Sequence, residues 1–160
     1  MKSFSTADLC DQHEGKVSII SPIFKSYGKA RTFCGRIATV KVYEDNALVR
    51  AALSEPGDGS VLVVDGGGSL NCALVGDQLA KLAQQNGWAG IVVNGCIRDS
   101  AALADMEIGI RALATNPRKS VKKGAGERGI RVCFAGVNFV PGSQLYSDED
   151  GIIVLDRREM

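Results

Sequence analysis

Apolar positions change their spacing along this chain, and the changes separate strands from helices. Residues 60–65 (SVLVVD) form a continuous apolar run, as a strand buried on both faces would. Residues 90–94 (GIVVN) repeat the pattern. Between them Leu79, Leu82, Ala83 and Asn86 recur at helical spacing, with Gly87 placed to stop the helix. Strand, helix, strand is the βαβ unit of a parallel sheet. Residues 66–69 (GGGS) are expected to turn after the first strand, and residues 95–99 (GCIRD) to leave the second as a loop. Upstream, Ser5 or Thr6 is placed to cap a short helix through Leu9 and Cys10 that ends near Gly15. Residues 36–43 (RIATVKVY) read as a strand, 45–53 as a short helix and 55–59 (EPGDG) as a turn. Downstream, a helix is expected over 100–106 and strands over 108–115 and 129–139. Pro141-Gly142 and Asp150-Gly151 punctuate the tail, and residues 152–155 close the sheet. No repeat, low-complexity stretch or linker interrupts the pattern, so one α/β domain over residues 1–160 is expected.

Composition narrows the function. Nineteen basic residues against eighteen acidic ones give +1, so no bulk field recruits nucleic acid or an anionic membrane. No apolar run approaches the roughly 18 residues of a membrane span. The start, Met1 to Asp8, lacks the apolar centre of a signal peptide, and a cytoplasmic protein is expected. The single histidine, His13, excludes three-His zinc sites, HExxH helices and Glu-x-x-His pairs, and its polar surroundings suit a surface position at a helix end. The five cysteines (Cys10, Cys34, Cys72, Cys96, Cys133) show no CxxC spacing, and four of them sit among apolar or small residues, as small hydrophobes do. A bound metal is then a hard cation on carboxylates and water, Mg²⁺ or Mn²⁺.

The βαβ unit brings chemistry together. Its helix should start at the same sheet edge where the second strand ends, so Gly76-Asp77-Gln78-Leu79 should meet Arg98-Asp99. Free N–H groups of Gln78 and Leu79 suit a substrate carboxylate, Arg98 can grip a second carboxylate or a keto oxygen, and Asp77 and Asp99 can hold a metal or its water. The structural alternatives are Asp77 as a helix cap, and Arg98-Asp99 as a surface ion pair with Asp99 capping the next helix. Three other features read as structural. Gly66-Gly67-Gly68 fails G-x-G-x-x-G because position 71 is Asn, and no P-loop lysine follows. Asp148-Glu149-Asp150-Gly151 reads as a hairpin turn rather than a calcium loop. The basic cluster Arg118-Lys119 and Lys122-Lys123 reads as a solvated loop, with a partner surface as the alternative.

The stretch VLVVDGGGSLNCALVGDQLAKLAQQNGWAGIVVNGCIRD resembles the family named for regulator of ribonuclease activity A (RraA), which includes the 4-hydroxy-4-methyl-2-oxoglutarate aldolases. The likeness extends from STADLCD through residues 108–113 to GVNFVPGSQLYSDEDGIIV. It implies a layered β/β/α swivelling fold similar to phosphohistidine domains, assembled as a ring-shaped homotrimer. Aldolase members carry an Asp, twenty intervening residues, then Arg-Asp, and here those are Asp77 and Arg98-Asp99. The resemblance makes Asp99 the metal ligand, largely through water, and gives substrate to Arg98 and residues 76–79. It implies a metal-dependent lyase acting on a keto acid through a pyruvate enolate, with oxaloacetate decarboxylation as a side activity. With no lysine in the constellation, the metal route is expected over a Schiff base. The general base is assigned to Asp77 or a water it orients. The alternative from the same family is a non-enzymatic regulator that binds a ribonuclease. An association of the family with menaquinone methylation meets the failed glycine pattern. One departure is the short tail ending at Met160, which would lack a C-terminal acidic group completing a longer member's site.

Overall fold

The computed structural model describes residues 3–159. Met1, Lys2 and Met160, and with them the expectations about the extreme start and the tail's last residue, lie outside the described residues. In chain order the elements are α1 (Thr6–Gln12), β1 (Val17–Ile19), β2 (Lys25–Ser26), β3 (Phe33–Lys41), α2 (Ala47–Leu53), β4 (Val61–Asp65), β5 (Ala73–Val75) and α3 (Asp77–Gln85). They continue with β6 (Gly90–Ile97), α4 (Ser100–Leu103), β7 (Gly109–Thr115), β8 (Glu127–Arg128), β9 (Val132–Phe134), β10 (Val137–Phe139), β11 (Gln144–Asp148) and β12 (Gly151–Leu155). The main sheet runs β1-β12-β11-β3-β4-β6-β7-β2, parallel from β3 to β7 and antiparallel at both flanks.

The apolar run of β4 is explained by what covers each face. Leu62 and Val64 join Val49, Leu53, Leu79, Ala80 and Ala83 in a core beneath α2 and α3. Val61 and Val63 face the other way, into a core with Phe33, Phe134, Phe139, Leu145 and Ile152. The sheet is therefore sandwiched between a helical layer and a second β layer, the layered α/β arrangement expected. Phe33 sits against Gly90 and Gly109, which pair across β6 and β7; a Cβ at either would lie within 2.5 Å of its ring. Those glycines make the slot that lets the aromatic ring reach the sheet.

Several local expectations need correction. The helix of the βαβ unit does not follow β4 directly: β5 comes first and pairs in parallel with the far end of β6. Residues 95–97 are strand rather than loop, because β5 and β7 continue to offer backbone partners to β6 past a register shift. Only Arg98 and Asp99 leave as the loop, and the following helix is one short turn. Residues 129–139 split into the β9–β10 hairpin, reversed at Ala135-Gly136 where both φ angles are positive. At the start, the Ser5 hydroxyl accepts from the Asp8 N–H, and His13 terminates α1 as its C-cap. Cys72 and Cys96 are buried, but Cys133 is exposed.

Candidate active site

Two clefts lie at opposite ends of the parallel strands. The larger, of about 940 Å³, opens at the amino ends, between residues 35–39, residues 55–60, Trp88 and Arg128. Of the four charged residues that line it, Arg36, Glu55, Asp58 and Arg128, Glu55 and Arg128 are already mutually satisfied in a two-bond contact. The smaller, of about 80 Å³, opens at the carboxyl ends of β5 and β6 and is far more polar. Ligands of open α/β sheets bind at that edge, so chemistry rather than size selects the smaller cleft.

Each sequence-assigned residue lines it: Gly76, Asp77, Gln78, Leu79, Arg98 and Asp99. The Arg98 N–H donates to Val75 O at 2.9 Å, which ties the β6 exit to the end of β5. Asp99 then adopts a left-handed conformation, φ 61° and ψ 38°. Such a backbone costs a residue with a Cβ on the order of 1 kcal/mol or more and persists where its surroundings impose it. Its consequence is directional. Asp99 stands at the cap position of α4 but makes no side-chain cap bond there. Its Oδ2 instead accepts the Asp77 N–H, 3.0 Å away, at the start of α3. Neither structural alternative for Asp99 survives: it does not cap α4, and no Arg98–Asp99 ion pair exists among the described residues.

Asp77 is not the helix cap either. Gly76 occupies that position, without a side chain to cap the helix. A Cβ there would lie 2.6 Å from Asp99 Oδ2 and 3.3 Å from Arg98 Cγ. The glycine is thus the gap through which Asp99 reaches α3. With the Asp77 N–H taken, the N–H groups of Gln78 and Leu79 are the next free donors of the helix, and no acceptor meets them among the described residues.

The opposite wall was not anticipated. The segment after Pro117 threads between β5 and the start of α2: Ala73 N–H donates to Arg118 O at 2.8 Å, and Val121 N–H to Glu44 O at 3.0 Å. That path brings Lys119, Ser120 and Lys122 onto the lining of the same cleft as Arg98, together with Asn46 at the cap position of α2 and Arg50 within that helix. The basic cluster is therefore not merely a solvated loop, and the expectation of a constellation without lysine is overturned. Burial works to raise the Asp45 pKa, but N–H groups of Ala47, Ala125, Lys123 and Gly124 outweigh it and hold the carboxyl below its ordinary range. Asp45 thereby pins the loop from beneath. No sequence motif flags this wall; the only signal was the basic cluster itself, which contacts the site across the fold.

Among the described residues, no cluster of three or more histidine, cysteine or carboxylate groups is arranged to hold a metal. Two carboxylates on a small polar cleft, Asp77 and Asp99, do fit a hard cation that keeps most of its waters and shares the rest of its shell with substrate oxygens. The glycine turn offers less. Gly67 N–H donates to Asp65 Oδ1, and Gly66 and Gly68 N–H both donate to Asn94 O. Its amides are engaged internally and none is left to cradle a phosphate.

A family profile described as RraA-like, Aldolase/RraA, matches residues 6–154. The chain belongs to the RraA-like family. A relative from Aromatoleum aromaticum, named a candidate 4-hydroxy-4-methyl-2-oxoglutarate aldolase, is 62% identical over 151 residues, covering 94% of this chain and 95% of that one. Another with the same name, from Laribacter hongkongensis, is 62% identical over 150 residues, 94% of each chain. Among solved structures, an RNA-processing inhibitor RraA from Thermus thermophilis superposes with a TM-score of 0.93 at 47% identity, over 96% of this chain and 93% of that one. A Geobacillus kaustophilus protein described as an S-adenosylmethionine:2-dimethylmenaquinone methyltransferase superposes with 0.94 at 49%, over 96% of both. The RraA-like fold is thus shared by proteins carrying three different functional names.

Proposed function

We propose that this RraA-like chain is a divalent-metal-dependent lyase that cleaves 4-hydroxy-4-methyl-2-oxoglutarate to two pyruvates, with oxaloacetate decarboxylation as a side activity. The observation that carries the reading is the 3.0 Å bond from Asp77 N–H to Asp99 Oδ2, which sets carboxylates, the Arg98 guanidinium and a helix N-terminus around one cleft. The names of the similar chains point the same way.

On this reading the Gln78 and Leu79 N–H groups take the substrate's C1 carboxylate, and Arg98 donates to its C2 keto oxygen. A base removes the C4 hydroxyl proton, the C3–C4 bond breaks, and its electron pair moves onto the keto oxygen as the pyruvate enolate forms. Arg98 shares that charge, which is where a donor contributes most. Asp77, directly or through a water it orients, is assigned as the base. The C4 fragment departs as one pyruvate, and protonation at C3 gives the other. In oxaloacetate the same bond breaks, C4 leaves as CO₂ and the electron pair follows the same path. Asp99 would hold the cation, largely through water, with Asp77 beside it. When bound, Mg²⁺ or Mn²⁺ supplies Lewis-acid stabilisation on the order of several kcal/mol. The assembly is a cytoplasmic homotrimer in this reading.

Lys119 and Lys122 raise the Schiff-base route, but both are solvent-exposed rather than desolvated. Pyruvate with borohydride separates the routes: no covalent adduct is expected, and a reduced adduct on either lysine would overturn metal dependence. The principal test is pyruvate release from oxaloacetate, with Mg²⁺ or with EDTA, for the wild type and Arg98→Ala. Release that needs both metal and Arg98 supports the lyase. Release no faster than metal alone gives in buffer sinks it. The second reading, a regulator that binds a ribonuclease, is favoured by the likeness to the Thermus inhibitor. Arg98→Ala would then leave ribonuclease binding intact while removing turnover, which distinguishes the two.

A further inference from the structure

The glycine turn after β4 has no role in the chemistry above, yet it shapes another cavity. That cavity, of about 300 Å³, is lined by residues 41–43, Asp65, Gly67 and residues 125–127, and it shares no residue with the polar cleft. Its lining is chiefly apolar. Asp65, the last residue of β4, is 7% exposed, and what it exposes opens on this cavity. Its Oδ1 is taken twice, by the Gly67 N–H at 3.0 Å and by Asn94 Nδ2 at 3.1 Å. Its Oδ2 accepts no hydrogen bond, and no cation pairs with it, among the described residues. Carboxylates are seldom buried this far without a partner, so the free oxygen marks a place where a donor is missing. Two other charged groups line the cavity, Lys41 and Glu127; both are exposed, and they stand opposite each other in the β3–β8 pairing. They offset one another, and the charge left over is that of Asp65. One wall is aromatic. Tyr43 is 63% exposed, and its ring lies on the turn: a Cβ at Gly67, where φ is 65°, would stand 2.9 Å from Tyr43 Cδ2. Gly67 thus gives the ring room and, through its N–H, occupies Oδ1 so that Oδ2 is the oxygen left free.

We propose that Asp65 and Tyr43 form a binding site for a small organic ammonium ion with an apolar body, which donates an N–H to Asp65 Oδ2 and rests its cationic end against the Tyr43 ring. The carboxylate supplies a charge-assisted hydrogen bond and the ring a cation–π contact. A hard metal ion asks for about six oxygen ligands, which this lining does not offer, whereas an ammonium ion with an apolar body asks for one acceptor and an apolar surround. The inference stands apart from the lyase reading, since no residue of one site lines the other.

The test titrates the protein at pH 7 with two probes of one shape, the 2-phenylethylammonium ion and the neutral 2-phenylethanol, and follows backbone amide shifts by NMR. The wild type should bind the ammonium ion in roughly the millimolar range and about tenfold or more tightly than the alcohol, as a hydrogen bond to a charged group provides. The shifts should centre on Gly67 and Gly126. Asp65→Asn keeps the side chain's shape and an acceptor for Gly67 and Asn94, and it should bring the two probes within about twofold by weakening the ammonium ion. Tyr43→Ala removes an exposed side chain and should weaken the ammonium ion by about threefold. It decides the matter by itself if the amide spectrum shows that Asp65→Asn does not fold. No saturable shift, equal affinities in the wild type, a preference that survives Asp65→Asn, an ammonium affinity unchanged in Tyr43→Ala, or shifts centred on residues 76–79 would each overturn the site.

Discussion

Two pairs of aspartates in this molecule are held in opposite ways. Asp45 and Asp148 are buried, 2% and 7% exposed, and each is saturated with donors. Asp148 accepts the Thr6 N–H at 2.8 Å, the Thr6 hydroxyl at 2.7 Å and the Asp150 N–H at 2.9 Å, so it clamps α1 to the β11–β12 hairpin. Asp77 and Asp99 are exposed; Asp99 accepts a single N–H, and Asp77 accepts none among the described residues. The saturated carboxylates have nothing left to offer a ligand and serve the fold. The unsaturated ones retain free lone pairs beside unpaired cations, and one stands on a strained backbone. Strain and unmet hydrogen bonds cost stability, and they collect where the surrounding core can sustain them.

The sharpest way to break this contrast is Asp99→Gly. Glycine accepts the left-handed backbone without strain, so the variant should melt at the wild-type temperature or above it. On the lyase reading, decarboxylation should nevertheless fall by roughly a hundredfold or more, since the carboxylate proposed to hold the metal is gone. A clear loss of melting temperature would instead assign Asp99 to the fold, and retained turnover would assign the metal elsewhere.

Gly76→Ala comes next. Its methyl would press on Asp99 Oδ2 and Arg98 Cγ, and one of them must give. A displacement approaching 1 Å can cost on the order of 100-fold in rate, so a ten- to hundredfold fall in kcat is expected with little change in stability. Wild-type kinetics would mean that the close packing of this loop is not required for the reaction.

The same contrast explains what could be read from the residues alone. β4, α3 and β6 were legible because both faces of the strands and one face of the helix are buried, which writes itself into the local pattern. Their topology then put residues 76–79 beside Arg98-Asp99 without any contact being known. β5 was not legible: Ala73–Val75 is three residues long and exists because the end of β6 offers it a partner. The same partnership kept residues 95–97 in the strand. Lys119, Ser120 and Lys122 were missed as site residues for a related reason. They reach the cleft through backbone pairing with Ala73, Glu44 and Asn46, contacts distant in sequence that leave no periodic trace.

Asp148→Ala tests the saturated pair. It strands the Thr6 and Asp150 donors and should cost about 2–3 kcal/mol, near 5–10 °C in a chain of this size, with turnover unchanged below the melt. Acid unfolding carries the sign. Burial works to raise the Asp148 pKa, but the Thr6, Asp150 and Gly151 donors outweigh it, so the folded carboxyl titrates below its unfolded range, as that of Asp45 does. A depressed folded pKa gives stability that is complete above the unfolded value of about 4 and is lost as pH falls through the folded values. Urea unfolding from pH 7 to 3 should show that decline in the wild type and a shallower one in Asp148→Asn. Equal slopes would remove Asp148 from the acid response.

The smallest effect is expected at the largest cleft. Glu55 and Arg128 meet there through two bonds, Nη1 to Oε1 at 3.1 Å and Nη2 to Oε2 at 2.9 Å, but Glu55 is well solvated. The Arg128 guanidinium holds the Glu55 carboxyl below its ordinary pKa by donating to it and by its charge, so the pair stays ionised through neutral pH. An ion pair in water gains little over its hydrated parts and is screened by salt. Glu55→Gln should therefore leave the melt unresolved from wild type at 0.15 M salt, and kcat and KM for oxaloacetate unchanged. A change in KM would place substrate at the amino ends of the strands, and the assignment of function to the unsaturated aspartates at the carboxyl ends would have to be abandoned.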